Sequence, residues 1–180
     1  MNTAMVTAIN TNVALDDELW ILGDLAMGNI DVTLPILKRF NAKRIVLVPG
    51  NHDKCHSMHS KSAYWIERYQ QVGIDIAPEW WDMELSDGTV VAYSHFPYSG
   101  ESVEGRTDRF MQNRPTDEGR WLLCGHVHTA WRQRGRQINV GIDAWGGQPV
   151  SEITIMEMVN SEPVDQEIYK WERPPRILAS

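Results

Sequence analysis

The stretch Arg44-Ile45-Val46-Leu47-Val48-Pro49-Gly50-Asn51-His52-Asp53 decides how this chain is read. Ile45 to Val48 are apolar and rich in β-branching, the texture of a strand buried on both faces. Pro49 cannot donate to a sheet ladder and Gly50 frees the backbone to turn, so the strand halts there. Asn51, His52 and Asp53 then offer an amide, an imidazole and a carboxylate at the strand's end. In open α/β sheets the ends of strands are where ligands are bound.

Working outward, the same punctuation recurs. The apolar run 19–22 stops at Gly23-Asp24. Residues 81–85, a Ser86-Asp87-Gly88 turn and residues 89–93 read as a β-hairpin that delivers Ser94-His95. The run 121–124 stops at Gly125-His126-Val127-His128. A carboxylate such as Asp24 can bridge two cations, and Asn51 adds a neutral oxygen where charge must be limited. His95, His126 and His128 supply imidazoles, which suit Mn²⁺, Fe²⁺, Zn²⁺ or Ni²⁺ better than Mg²⁺ or Ca²⁺. If residues 126–128 are extended, both rings project to one side and can serve one ion each. Any one of these motifs alone is most simply a turn or a satisfied polar group. Together, in order and each at a strand end, they point to a metal centre.

Between the strands, residues 1–13 carry an apolar face of Met5, Ala8, Ile9 and Val13, and Leu34, Leu37 and Phe40 give a second helical stripe. Residues 62–72 also read as helix. Residues 97–120 are polar, with Gly100, Gly105 and Pro115, and form a long functional loop. Residues 131–140 make a second hairpin around Arg134-Gly135-Arg136. Ser151 can cap a helix to about residue 159, while the alternation of Ile153 and Ile155 also fits a strand. The chain reads as one domain over residues 1–180, with 160–180 as an extended, charged tail. Early α/β alternation followed by hairpins implies a mixed sheet, or two packed sheets flanked by helices.

Composition excludes several classes. A formal charge of −7 argues against stable attachment to nucleic acid or anionic membranes, although bound cations would reverse the field at a local site. No apolar run approaches a membrane span and no secretory leader is legible at residue 1, so the reading is a cytoplasmic protein, host-cytoplasmic if phage-encoded. Cys55 and Cys124 are too few for a disulfide framework.

The ordered blocks Gly23-Asp24, Gly50-Asn51-His52-Asp53, His95 and Gly125-His126-Val127-His128 resemble the calcineurin-like metallophosphoesterase family, in particular its small single-domain members from bacteria and phages. The resemblance spans about residues 17–145. It implies a four-layer α/β/β/α sandwich with two mixed sheets and two divalent ions, by preference Mn²⁺. It also implies that Asp24 bridges the ions, that Asn51, His95 and His126 bind the second, and that His128 binds the first. The implied reaction is hydrolysis of phosphodiesters, including cyclic nucleotides, by a metal-bridging hydroxide attacking phosphorus. His52, adjacent to a ligand, would assist the leaving oxygen, with Asp53 accepting a hydrogen bond from its ring.

The family's opening Asp-x-His block has no counterpart. No histidine precedes His52, and Asp16-Asp17 sits in the wrong place. The first metal site is therefore expected to be incomplete, and the chain to lack the first N-terminal strand and some stability with it. A shortened N-terminus is the favoured explanation, because residue 1 reads as the middle of a helix. Rival readings are a nucleotide or protein phosphomonoesterase and a non-catalytic scaffold with a decayed site. Cys55-His56 with His59 is a weak zinc fragment. Arg106 and Arg109 in the long loop can grip a phosphate or simply be solvated, and Arg132, Arg134 and Arg136 read as an exposed face.

Overall fold

The computed structural model describes residues 3–25, 28–101 and 108–168. Helix α1 (Thr3–Asn12) buries Val6 and Ile9, with Val13 just beyond it. Met5 and Ala8, expected on the buried face, lie at its margin. The chain then enters β1 (Glu18–Leu22) and crosses through a short helix α2 (Ile30–Thr33), which continues as a 3₁₀ segment, Leu34–Arg39. That segment explains the stripe of Leu34, Leu37 and Phe40. Side chains three apart eclipse one another in a 3₁₀ helix, so this spacing aligns all three into the core.

Strand β2 (Arg44–Val48) follows, then α3 (Ser62–Gln70) and β3 (Ile74–Ile76), a three-residue strand too short to announce itself in the sequence. These strands form a sheet in the order β1-β2-β3, parallel throughout. The expectation of two mixed sheets is corrected here: helical segments carry each crossover, and that connection makes parallel neighbours. Register matters more for function. Leu22 lies opposite Val48, so the turns after β1 and β2 emerge side by side.

The second sheet holds β4 (Trp80–Glu84), β5 (Val90–Ser94), β6 (Leu122–Cys124), β7 (Gln133–Gly135), β8 (Gln137–Asn139) and β9 (Val164–Gln166). Its order is β4-β5-β6-β8-β7-β9, with parallel pairing from β5 through β6 to β8 and antiparallel pairs at both margins. Both expected hairpins form. Strand β9 corrects the reading of residues 160–180 as an extended tail, since Val164–Gln166 pairs along β7; residues 169–180 lie outside the described residues. Helix α4 (Glu152–Val159) resolves the ambiguity after Ser151, whose Oγ accepts the Thr154 N–H at 3.2 Å and so caps the helix.

One face of the first sheet packs on α1, α2, the 3₁₀ segment and α3 through Leu37, Leu47, Tyr69 and Ile74. Each fully buried leucine or isoleucine there contributes roughly 1.5–3 kcal/mol. The other face gives Leu22 and Val48 to a core shared with Val91, Tyr93, Leu123 and Ile138 of the second sheet and Ile155 and Val159 of α4. Beyond the second sheet, Ala92, Leu122 and Cys124 meet Val127 and Trp131. Among the described residues no helix is long and apolar enough to cross a membrane.

Candidate metal centre

The parallel pair β1 and β2 of the first sheet and the parallel pair β5 and β6 of the second release their chains at one edge of the paired sheets. Glycines let the four turns close on one another. A Cβ on Gly23 would stand 2.0 Å from His95 Nδ1, and one on Gly50 would stand 2.5 Å from Asp24 Oδ1. Gly125 is similarly pressed, with the Leu22 carbonyl 2.6 Å from where its Cβ would be. The residues that follow are forced into left-handed backbone: Asp24 has φ 57°, His126 φ 67° and His128 φ 49°. Such backbone is unfavourable for side chains other than glycine and persists only where the surroundings enforce it. It also corrects one expectation. Residues 126–128 are not extended but turned, with the Val127 N–H reaching back to the Gly125 carbonyl at 2.7 Å.

The turn separates the two histidines. His126 joins Asp24 and His95 in a group whose ligand atoms all lie within 4.8 Å of one another. Around His95 Nε2 stand Asn51 Oδ1 at 3.1 Å, His126 Nδ1 at 3.2 Å and Asp24 Oδ2 at 3.6 Å. Hydrogen positions follow from the partners. His95 Nδ1 lies 2.8 Å from the Leu22 carbonyl, which can only accept, so Nδ1 carries the hydrogen and Nε2 presents a lone pair. His126 Nε2 lies 2.9 Å from the carboxylate of Glu101 without a well-aligned hydrogen bond, and the attraction of the carboxylate for an N–H favours the tautomer with Nδ1 bare.

Burial holds His95 below the ordinary imidazole pKa against the pull of Asp24. Burial and the neighbouring His95 push His126 down to about 4. Both rings are thus neutral at pH 7. In that tautomer two bare nitrogens, an amide oxygen and a carboxylate oxygen face a common point, an arrangement that a shared proton or a cation among them would relieve. These residues fit a divalent metal, with the imidazole, amide and carboxylate donors of a borderline transition ion.

Asp53 and His52, expected together as the catalytic pair, have separate places. Asp53 is fully buried, and its carboxylate accepts from the backbone N–H groups of Asp24 at 2.7 Å, Gly50 at 2.9 Å and Leu25 at 3.0 Å, and from the Tyr69 hydroxyl at 3.3 Å. It ties the turn after β1 to the turn after β2. Through these bonds Asp53 organises the ligand loops. His52 is exposed; its backbone N–H donates to Asp24 Oδ1 at 2.9 Å, fixing the ligand carboxylate. Its ring is near enough that its charge would be felt by His95.

His128 stands outside the buried group. Its Nδ1 lies 2.8 Å from Asp143 Oδ2, and its side chain is 70% exposed. The hydrogen bond to Asp143 raises the His128 pKa and lowers that of Asp143. Asp24 also acts on His128 electrostatically, so the ring overlooks the same carboxylate.

Sequence reasoning missed the residues that buttress His126. Glu101, on the loop after β5, is nearly buried, and its Oε2 accepts from the backbone of Arg109 at 2.8 Å and from Arg114 Nη2 at 2.6 Å. Burial opposes its ionisation, but the bonds from Arg109 and the contact with His126 prevail and hold its pKa below the usual carboxylate value. Phe96 and Phe110 pack on the His126 ring at centroid distances of 5.0 and 5.6 Å. The loop has no periodicity, and only its unusual density of Arg, Asp and Glu hinted at a network.

The zinc fragment is not assembled. Buried His56 accepts from the Met58 N–H at 3.1 Å, His59 Nε2 lies 3.1 Å from the Asn51 carbonyl, and Cys55 is buried with its pKa pushed up by desolvation. Among the described residues the potential metal-holding group contains none of the three. Cys124 is buried. Arg132 is engaged with the Ala144 carbonyl at 3.1 Å and lies over Trp145, so it is not part of a free basic face. Arg106 lies outside the described residues.

No family model matches the chain. Its fold is similar to the crystal structure of AQ665 from Aquifex aeolicus, a protein of unknown function, with a TM-score of 0.62, 22% identity and coverage of 87% of this chain and 83% of that one. In sequence it is 36% identical to the Gene 66 protein of Mycobacterium phage D29 over 165 residues, 82% of this chain and 77% of the relative. It is 34% identical to the Gene 66 protein of Mycobacterium phage L5 over 174 residues, 88% of this chain and 81% of the relative. At that identity and coverage, the chain belongs to the family of mycobacteriophage Gene 66 proteins.

Proposed function

We propose that this chain is a metal-dependent phosphoesterase of the calcineurin-like type, acting on phosphodiesters and suited to small ones such as cyclic nucleotides in the host cytoplasm. The observation that carries the reading is the convergence of Asp24, Asn51, His95 and His126 with unprotonated donor atoms facing one another. The four-layer α/β/β/α order belongs to the same reading, with α1 to α3 as the first layer and the two sheets as the middle pair.

In this reading Asp24, Asn51, His95 and His126 hold one divalent ion, by preference Mn²⁺, and Asp24 with His128 offers part of a second position. When bound, the ions supply Lewis-acid polarisation of the phosphoryl oxygens and an activated water. The chain's own residues do the rest. Asp53 keeps the two ligand turns in register, and the hydrogen bond from the His52 backbone orients Asp24. The exposed His52 ring is free to meet the leaving oxygen and hand it a proton. Phe96 and Phe110 limit water on one side of His126.

The test is Mn²⁺-dependent hydrolysis of bis-p-nitrophenyl phosphate beside the p-nitrophenyl monoester. The reading predicts turnover of the diester that chelation abolishes. A strong monoester preference would replace diesterase with monoesterase, and metal-independent inertness on both would leave a binding protein. For His52→Ala the proposal is collapse of activity with metal content retained; loss of both together would make His52 a ligand instead.

A further inference from the structure

We infer that Arg109 is a substrate-binding residue of this site, holding a non-bridging oxygen of a phosphoryl group. The inference rests on the metal reading above and deepens it. Arg109 combines two properties that seldom occur together: its side chain is 70% exposed, yet its base is fastened at two points. Its Nε donates to Glu101 Oε1 at 2.6 Å and its backbone N–H donates to Glu101 Oε2 at 2.8 Å. Among the described residues no hydrogen bond engages its terminal Nη groups, so the guanidinium keeps donors open to solvent.

The anchoring carboxylate places that cation at the metal cluster. Glu101 Oε1, which takes the Arg109 Nε, also lies 2.9 Å from His126 Nε2. The guanidinium rides over the Phe110 ring at 5.4 Å, and that ring packs on His126 at 5.6 Å. Its field also reaches His128, whose charging it opposes. Arg109 therefore overlooks both histidines of the turn after β6, one buried in the cluster and one exposed.

Arg114, the other cation on Glu101, serves a different end. Its side chain is 2% exposed, and it spends its donors on Glu101, on the Pro97 carbonyl at 3.0 Å and on the Arg109 carbonyl at 3.0 Å. It folds the loop and neutralises Glu101 from within. Arg114 and Arg109 both hold Glu101, but Arg109 does so through Nε and its backbone N–H, which leaves its Nη groups uncommitted among the described residues. What the second arginine adds is a forked, pre-oriented donor at the mouth of the site, the geometry that recognises phosphoryl oxygens.

The experiment is calorimetric binding of inorganic phosphate to the Mn²⁺-loaded full chain, comparing wild type, Arg109→Ala and Arg109→Lys, after titrating each with Mn²⁺ alone. The inference predicts phosphate binding weakened by about 10- to 100-fold in R109A, as for loss of hydrogen bonds to a charged group. It predicts an intermediate loss in R109K, which keeps the charge but not the fork, with Mn²⁺ affinity unchanged in both. Phosphate affinity equal to wild type in R109A would overturn it, and so would a phosphate loss that only follows a loss of Mn²⁺. A wild-type chain that takes up no Mn²⁺ would remove the metal reading and this inference together, and the metal titration alone identifies that case.

Discussion

His126 and His128 are two residues apart, yet they live under opposite physics. His126 is buried among ligands, backed by Glu101 and flanked by two phenylalanines, and its pKa is pushed down to about 4. His128 is 70% exposed, bonded to Asp143, and its pKa is raised. The left-handed backbone at both positions turns what would be two parallel rings into an inward and an outward one. The contrast divides the site into a prebuilt buried half, whose donor atoms could hold a cation, and an open half that faces solvent.

The sharpest way to break the buried half is Gly23→Ala. Gly23 has φ 90°, and a Cβ there would meet the His95 ring at 2.0 Å. Left-handed strain and displacement of a packed ring together predict a stability loss on the order of 3 kcal/mol, read by urea denaturation. Retention of wild-type stability would mean the turns are far looser than described.

Replacing each histidine by alanine tests the division itself. His126→Ala should weaken the tightest Mn²⁺ by about 100-fold or more, beyond the 10- to 100-fold typical of losing a supporting partner. His128→Ala should leave that first ion within about 3-fold, since His128 lies outside the cluster, while diester turnover falls. Equal losses of metal in the two variants would erase the distinction.

Glu101→Gln probes the support behind His126 and should cost about 10-fold in Mn²⁺ affinity. No change would reduce Glu101 to a loop-folding residue.

The smallest effect concerns pH in the metal-free protein. His95 and His126 have lowered pKa values in the fold, so below the ordinary imidazole value of about 6.5 the unfolded chain binds more protons. Stability therefore falls as pH drops from about 6.5 toward 4. The raised value of His128 has the opposite sign: it adds stability at low pH that is lost as pH rises through its folded pKa. Denaturation at several pH values should show a shallower acid limb in H126A and a steeper one in H128A.

What the sequence disclosed follows the same division. Strands β1, β2, β5 and β6 were legible because each is an apolar run ended by glycine or a polar ligand residue, and the buried ligands sit at those ends. Strands β3 and β9 were not, being three residues each with too few side chains to show a period. The turn at residues 126–128 could not be told from an extended segment, because left-handed backbone at histidine has no composition signal. The turn lies beside Gly125, which packs so closely on the Leu22 carbonyl that a Cβ there would stand 2.6 Å from it. The bonds that Asp53 accepts from the backbone N–H groups of two turns had no sign in the sequence, because they depend on the tertiary approach of those turns. Glu101, Arg109 and Arg114 were hidden because their loop makes its contacts by tertiary reach rather than by repeat.

Asp24, Asn51, His95 and His126 are proposed to form one ready cation site. A crystal structure grown with Mn²⁺, with anomalous scattering measured at the manganese edge, tests it most directly. The strongest anomalous peak is expected among those four side chains, with His128 at most beside a weaker second peak. A peak bound elsewhere, or a cluster that stays without metal while the ion is present in excess, would contradict it.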